Sequence, residues 1–555
     1  MPDSSSELFA EIAVDAPLRT RERVLTYRVP EKLAGRVRLG SIVRVPIRGR
    51  RARGWVVGLD VSTEVEPSRL VDIATLSGKG PVFDAALLSA LRELSRDLLS
   101  PLPDLLALLT PARLGRPIEP VEWERPEVLP GRCVLWQHGP AEDPSERYFE
   151  IIDRRLAEGL GAIVCVPEVK EGSRVVSGVV DRYPTEVAVV HSNQDPAERS
   201  KALWDIALQK KKVVVGGRGA VFAPAFPVGS IIIHEEHDPS FKEQRGPYYD
   251  ARSVALARAR AEGCEVILAS SSPSVRSTAM LSGRLMLDAA PRETIRAHWP
   301  KVEVVPPERG PVPRRAVALV IETLRARQRV LLLLPRVRVT KMGPGPEQLV
   351  RFLNRVVPNA RIGRADRGVL EAGSLAEVMD SDVIVATEAA LTDIYHPQIA
   401  AGIALGVDAL LTRPGGRAAE DAFATLWRLG TAVCRGGAKG RVVLETELGE
   451  HHVVQALTRG DAGYFNSREI ELRKLAGSPP FVSMIRLQVA GEPDGKLMDA
   501  LSALPGTAVL GPIEGGIGSE LLLKVSRFED VVEPLGNIVA MSPQRILAET
   551  DPIDW

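Results

Sequence analysis

The sequence predicts a multidomain α/β protein: a small N-terminal β-barrel-like domain, two successive α/β lobes, and a small C-terminal α+β domain. Three observations predict it. At 555 residues the chain holds material for about three to five domains, more than one hydrophobic core serves. Its middle repeats apolar strand, polar turn and amphipathic helix, the grammar of parallel sheets with crossover helices. Both ends instead carry short strands of alternating polarity between turn residues.

Taken in order, Val24 to Val29, Ser41 to Ile47 and Gly54 to Leu59 read as strands of the N-terminal barrel. Leucine spacing from Asp84 to Leu109 predicts a helical pair broken at Pro101 and Pro103. This first domain spans residues 1–112, and a Pro-rich linker follows over 113–130. The first lobe, 131–298, has strands at Ala162–Val166, Glu186–Val190, Val213–Val215, Ile231–Ile233 and Glu265–Ala269, with helices such as Ala197–Leu208 and Tyr249–Arg260. In the second lobe, 299–477, strands are expected at Val330–Leu334, Val383–Ala386, Gly402–Val407 and Arg441–Glu445. The terminal domain, 478–555, reads as four strands (Ser483–Val489, Gly506–Leu510, Glu520–Val525, Arg545–Glu549) and one helix near Lys496–Leu504.

Hydrophobic residues at 45% and charged residues at 26% exclude a disordered, collagen-like or coiled-coil chain. Lys plus Arg equal Asp plus Glu at 71 each, so any polyanion site must be regional. One region stands out: Leu18 to Arg53 holds 12 Lys/Arg against Glu22 and Glu31, an excess of ten. Such a run is either a solvated face or a polyanion-binding surface, and its density favours the latter. The four cysteines (Cys133, Cys165, Cys264, Cys434) form no CxxC pair, which fits a reducing cytoplasm and offers no cysteine zinc site. Met1 to Ser6 has no signal-peptide character, and runs such as Val330–Leu334 are too short to span a bilayer, so no membrane role is expected.

Paired α/β lobes suggest a nucleotide-driven motor, whose mark is a GxxxxGK[ST] loop between strand and helix. None is present: Gly78-Lys79 and Gly495-Lys496 lack the Ser or Thr and follow no buried strand. Where the first lobe's phosphate loop belongs, the chain reads Gln137-His138-Gly139-Pro140-Ala141-Glu142-Asp143-Pro144-Ser145. Glu142 and Asp143 repel phosphate, and Pro144 offers neither ammonium nor N–H.

Other blocks carry a resemblance. Val189-Val190-His191-Ser192, Glu198-Arg199, Trp204, Val215 to Pro224, Ile231 to Asp238, Ser240-Phe241-Lys242, Pro247 to Arg252 and Ser270 to Ser274 are similar in order and spacing to motifs of the PriA-type primosomal protein N′ family, the replication-restart DNA helicases. Val166-Pro167-Glu168 and Arg417-Ala418-Ala419-Glu420 match as well, so the resemblance spans essentially the whole chain. It implies two RecA-like lobes of the superfamily 2 helicase type and a DNA 3′-end-binding domain at the N-terminus. To the latter correspond Ala16-Pro17-Leu18, Tyr27 to Pro30, Gly40 to Pro46 and Gly54 to Val57.

The departures fall on the family's catalytic positions. Against its GxTGSGKTEVY, Ser145-Glu146-Arg147-Tyr148 keeps the tail, while the lysine is Pro144 and the preceding glycine Asp143. His234 replaces the magnesium-holding Asp of DEEH, and an imidazole is a poor ligand for a hard ion. The segment GTQMxxKGxxFP reads Ala386 to Pro397, and QVAGRAGR reads Arg428 to Arg435 with Ala432 at the first arginine. Ser145, His234, Glu235, Glu236 and Arg435 therefore stand as remnants, and hydrolysis without the lysine, the metal and one arginine is not expected. The family's zinc module has no counterpart, since only Arg336 to Met342 fills its place, and the linker is too short for the family's winged helix. No ATP, magnesium or zinc cofactor is thus expected, with binding of ATP unhydrolysed left open. His234 with His237 as a metal pair is a rival reading, but HExxH needs i, i+4 spacing on a helix; a structural loop is the plainer one.

The DNA-binding candidates are Tyr27, Arg44, Arg48, Arg50, Arg51 and Arg53 in the barrel, with Phe241 and Lys242 in the aromatic stretch that also holds Tyr248, Tyr249 and Arg245. Leu25-Thr26-Tyr27 departs from the family's FDY triplet, which removes the Asp that helps hold a 3′ nucleotide. The expected function is a non-motor, DNA-binding protein of replication restart and primosome assembly, cytoplasmic and nucleoid-associated. Its expected partners are fork or branched DNA, single-stranded DNA, and restart, single-stranded-DNA-binding and helicase-loading proteins. Two alternatives are an active 3′ to 5′ DNA helicase using atypical motifs, and a protein-interaction scaffold without DNA binding. The isolated first 112 residues are expected to bind DNA.

Overall fold

Alternating side chains from Leu8 to Ser77 build five antiparallel strands, β1 (Leu8–Val14), β2 (Val24–Val29), β3 (Ile42–Ile47), β4 (Arg50–Leu59) and β5 (Thr75–Ser77), in the order β2-β1-β4-β3-β5. The computed structural model describes the chain except residues 1–7, 19–21, 64, 117–130, 170–172, 226, 284, 336–344, 367, 370–374, 392–398, 435–439 and 555. The sheet closes into a barrel. Arg28 N–H donates to Val71 O and Ile73 N–H to Arg28 O, at 3.0 and 2.9 Å, tying the approach to β5 onto β2 while β5 itself pairs with β3. Closure leaves few unpaired edge groups, and Ile12, Val29, Val43, Val45 and Val56 fill the interior. Between β3 and β4 the turn residues Arg48 and Gly49 both have positive φ, 45° and 76°. That pair gives the two-residue turn whose twist matches a hairpin.

The predicted helical pair is Ala85–Asp97 and Leu102–Leu109, with the Asp84 carboxylate accepting the Leu87 N–H. Its leucines do more than cover the barrel: Leu87, Leu91, Leu94, Leu102 and Leu106 share one apolar cluster with Val254, Ala255 and Leu256 of the first lobe. Trp55 Nε1 donates to Thr110 Oγ1 at 2.9 Å, and Trp204 Nε1 donates to Arg113 O at 2.9 Å. The expected linker therefore starts fastened to the first lobe; its residues 117–130 lie outside the described residues.

The first lobe holds β6 (Cys133–Gln137), β7 (Gly161–Cys165), β8 (Val187–Val190), β9 (Val213–Gly216), β10 (Val228–His234), β11 (Glu265–Ser270) and β12 (Met286–Ala289) in a parallel sheet of order β12-β6-β11-β10-β7-β9-β8. The second is parallel too, ordered β13-β18-β17-β14-β16-β15 from β13 (Lys301–Val305), β14 (Arg329–Leu334), β15 (Ile362–Ala365), β16 (Val383–Thr387), β17 (Ile399–Ala404) and β18 (Arg441–Glu445). Helices on both faces explain why strands such as Ile231-Ile232-Ile233 are apolar throughout. This is the predicted arrangement, two parallel α/β lobes between smaller domains.

The C-terminal sheet is antiparallel, order β20-β21-β19-β22, from β19 (Ser483–Ala490), β20 (Thr507–Gly515), β21 (Gly518–Val525) and β22 (Ile546–Thr550). It carries two helices, Gly495–Ser502 and Phe528–Met541, where one was expected. The second contains Pro534, which as a sequence signal argues against a helix. Val531, Val532 and Leu535 nonetheless bury against β19 and β21, and Leu99 of the N-terminal helical pair joins the same cluster. Among the described residues no helix is long and apolar enough to cross a membrane.

Candidate functional site

The C-terminal ends of the adjacent strands β6, β11 and β10 bring three segments together: His138 to Pro144, Ser270 to Ser274, and His234 to His237. In an open parallel sheet this edge is where ligands bind. Here the loop after β6 satisfies its own N–H groups. Glu142 Oε2 accepts the Gly139 N–H at 2.8 Å, and Asp143 Oδ1 accepts the Ser145 N–H at 3.0 Å. Those are donors that a phosphate needs, and the helix Ser145–Ala157 begins at Pro144 without a free first N–H. Ser145 itself is buried.

His234, at the end of β10, is committed as well: Nδ1 lies 2.9 Å from Tyr148 Oη, edge-on to the ring. Glu235, with φ at +51°, has Oε1 3.3 Å from His138 Nε2 and Oε2 3.4 Å from His237 Nδ1. Burial works to raise its pKa, and the surrounding imidazoles, His138 first, outweigh burial and hold it well below the usual range. Glu236 is fully buried and caps the helix Val275–Ala279, accepting from Ser274 N, Ser274 Oγ and Ser277 Oγ at 2.6, 2.9 and 2.8 Å. Arg435 lies outside the described residues. A magnesium nucleotide does not fit this donor set: carboxylates occupy the loop donors, no ammonium faces it among the described residues, and an imidazole tied to a phenol stands where an oxygen ligand is needed. His234 and His237 do not converge, since His237 Nδ1 is 2.7 Å from Ser270 Oγ. Among the described residues no group of three or more His, Cys, Asp or Glu is placed to hold a metal ion.

Three interlobe residues were not singled out from the sequence as contacts. Arg428, on the helix Ala418–Cys434 of the second lobe, donates to Asp238 Oδ2 at 2.6 Å and reaches His237 Nε2 at 3.1 Å. Glu420 on the same helix accepts the Val275 N–H at 3.0 Å, and the Asn466 amide donates to Pro273 O at 3.0 Å. The signal available for Arg428 was its own position, an arginine where the family motif begins with glutamine.

The DNA-binding candidates separate into two groups. Arg48, Arg50 and Arg51 are exposed on the β3–β4 hairpin and Arg44 is half-buried beside them, opposite Arg53 in register. None of these four side chains has a carboxylate partner among the described residues, whereas Arg23, Arg28 and Arg53 pair with Asp104, Asp72 and Asp15. Arg53 also lies over the Trp55 ring, 4.8 Å from its centroid, so it is a weaker candidate than the hairpin tip. Three expectations are corrected. Tyr27 is in the barrel core, 4% exposed, with its hydroxyl donating to Pro46 O, so its ring offers no surface to DNA. Phe241 is fully buried in the first lobe's core and cannot stack a base. Lys242 is buried with Nζ donating to Thr550 O at 2.5 Å, which joins the C-terminal domain to the loop after β10. Tyr249 is likewise buried; Tyr248 is half-buried and Arg245 exposed.

Residues 11–111 match the family model of the 3′DNA-binding domain (3′BD) of PriA. The chain is 24% identical over 624 residues to the replication restart protein PriA of Treponema pallidum, covering 93% of this chain and 94% of that one. With the protein of the same name from Rickettsia conorii it shares 22% identity over 566 residues, 86% of either chain. A structure of RecG bound to a three-way DNA junction aligns with 71% of this chain and 46% of that one, at 15% identity and a TM-score of 0.41.

Proposed function

We infer that this chain, a PriA-type protein, serves replication restart as a DNA-binding body that does not hydrolyse ATP. The observation that carries the DNA-binding half is the hairpin of Arg48, Arg50 and Arg51 on a barrel matching a 3′DNA-binding domain, exposed and without carboxylate partners among the described residues. Arginines so placed reach phosphates bidentately and read backbone geometry, not base sequence. The internal capping of the His138–Pro144 loop by Glu142 and Asp143 supports the non-hydrolysing half. Forks and branched junctions are the substrates this reading assigns, with restart and helicase-loading proteins as partners; no zinc or nucleotide takes part.

Fork-DNA binding and DNA-stimulated ATP turnover, measured on one preparation, test both halves. Salt-sensitive binding without turnover is the expected result. Turnover that disappears with Glu235→Gln restores the helicase alternative, and absence of binding restores the scaffold alternative.

A further inference from the structure

We propose that the two lobes are latched shut by the chain itself, with Arg428 bridging them where a motor depends on a bound nucleotide. This rests on the reading of the protein as a non-hydrolysing member of its family. Among the described residues, three second-lobe residues make polar contacts across the seam onto the segments following β10 and β11. Arg428 engages Asp238 and His237; Glu420 accepts the Val275 N–H; Asn466, on the helix Ala462–Ala476, donates to Pro273 O and to Thr278 Oγ1, both at 3.0 Å. Apolar packing runs through the same place, since Val275 of the first lobe is fully buried within the second lobe's core beside Phe423 and Leu426.

The seam is built as an interior. Glu420, Asn466, His237 and Asp238 are each more than nine-tenths buried. Opening the lobes leaves Asp238 without Arg428, and exposes Val275, so each contact resists separation with the others. Glu420 is held at 2.9 Å by Arg473 of the helix Ala462–Ala476, itself paired with Glu469, which fixes the carboxylate toward Val275. A hinge that cycles with a nucleotide needs a cleft whose two walls meet through the ligand; here the walls meet through side chains. The C-terminal domain touches both lobes, through Lys242 to Thr550 O and Arg276 to Asp551 at 3.3 Å on the first, and through Lys524 Nζ donating to Ala476 O at 3.4 Å on the second. The arginine hairpin is consequently presented by a body of fixed shape.

Interlobe distance measured by pulsed electron resonance on the full chain tests this. Spin labels go at Asp181→Cys in the first lobe and Arg355→Cys in the second, both exposed, with the half-buried Cys133 changed to Ser. The expected result is one narrow distribution that Mg-ATP and Mg-ADP leave unmoved, and a shift to longer, broader distances in Arg428→Gln, with Arg428→Lys intermediate. A broad or nucleotide-responsive distribution in the parent overturns the latch, and so does an Arg428→Gln protein as narrow as the parent. The parent's response to nucleotide decides even where a variant fails to fold. DNA-stimulated ATP turnover on the same samples keeps the premise separate: turnover in the parent removes the non-hydrolysing reading, whereas a nucleotide-responsive distance without turnover overturns the latch alone.

Discussion

Arg428 of the second lobe lies with Nη2 2.6 Å from Asp238 Oδ2 and 3.1 Å from His237 Nε2 of the first, so one guanidinium faces a carboxylate and an imidazole across the seam. Burial pushes the His237 pKa down to about 4, and the Arg428 charge pushes in the same direction against Glu235, Asp238 and Glu420. Because the folded value lies below the unfolded value of about 6.5, the neutral imidazole contributes stability that is present above pH ~6.5 and is lost as pH falls toward 4. At about 1.36 kcal/mol per pH unit that difference makes this roughly 3 kcal/mol. We expect unfolding free energy to decline through that window, and the slope there to flatten in His237→Gln. An Arg428→Ala protein should show a His237 pKa raised above the parent's by imidazole NMR and a stability loss of about 2 kcal/mol, from the hydrogen bond to a charged group left unmade. An unchanged His237 titration would show that the guanidinium does not act on the imidazole.

The loop after β6 leads to a second expectation. Glu142 and Asp143 place two carboxylates on the N–H groups of Gly139 and Ser145, where a nucleotide would place phosphate oxygens. Calorimetry with Mg-ATP should show no saturable binding, with or without DNA. Glu142→Ala together with Asp143→Ala frees those donors but leaves Pro144 and the His234–Tyr148 pair in place, so turnover should stay absent. Hydrolysis appearing in that variant would mean the two carboxylates alone silence the site.

Much of this was legible in the sequence. The apolar runs of β7, β10, β14 and β18 announce buried parallel strands, and Glu142, Asp143, Pro144 and His234 mark by residue type the loop ends that the structure brings together. What escaped has a physical reason in each case. Phe528–Met541 is helical despite Pro534 because its apolar stripe is buried, a tertiary effect that local propensity does not carry. Phe241 and Lys242 look like a base-stacking pair because an aromatic beside a cation has the same composition on a surface and in a core. Arg428 and Glu420 meet Asp238 and Val275 across roughly 150 to 190 residues of chain, and nothing in local pattern pairs them.

The junction between barrel and first lobe gives a third prediction, which revises the expectation for the isolated first 112 residues. The barrel has its own core, but the helices Ala85–Asp97 and Leu102–Leu109 bury leucines against the first lobe. Fragment 1–112 should therefore expose that face and self-associate, which light scattering reads directly. Thr110→Val should destabilise the full chain by about 1–3 kcal/mol, because the buried Trp55 Nε1–H loses its acceptor. A fully monomeric, cooperatively folded 1–112 fragment would show the helical face to be dispensable.

The arginine hairpin gives the last. Arg48 and Gly49 turn the chain with positive φ, and Arg50 and Arg51 follow at the start of β4, so three guanidinium groups project from one rigid tip. Each duplex-phosphate contact releases counterions and adds about 0.9 to the slope of log affinity against log salt. Replacing Arg48, Arg50 and Arg51 by Ala should weaken fork binding at moderate salt and flatten the slope by up to roughly 2.7 units. Arg53 is the internal control. Its charge is already met by Asp15 at 2.8 Å and its guanidinium packs over Trp55, so Arg53→Ala should lower stability while changing the slope far less than any tip arginine. Fluorescence anisotropy across a salt series, with the same fork DNA for all variants, reads both numbers. If the triple variant keeps the parent's affinity and slope, the tip is a solvated face, DNA must bind elsewhere or not at all, and the scaffold alternative becomes the better reading.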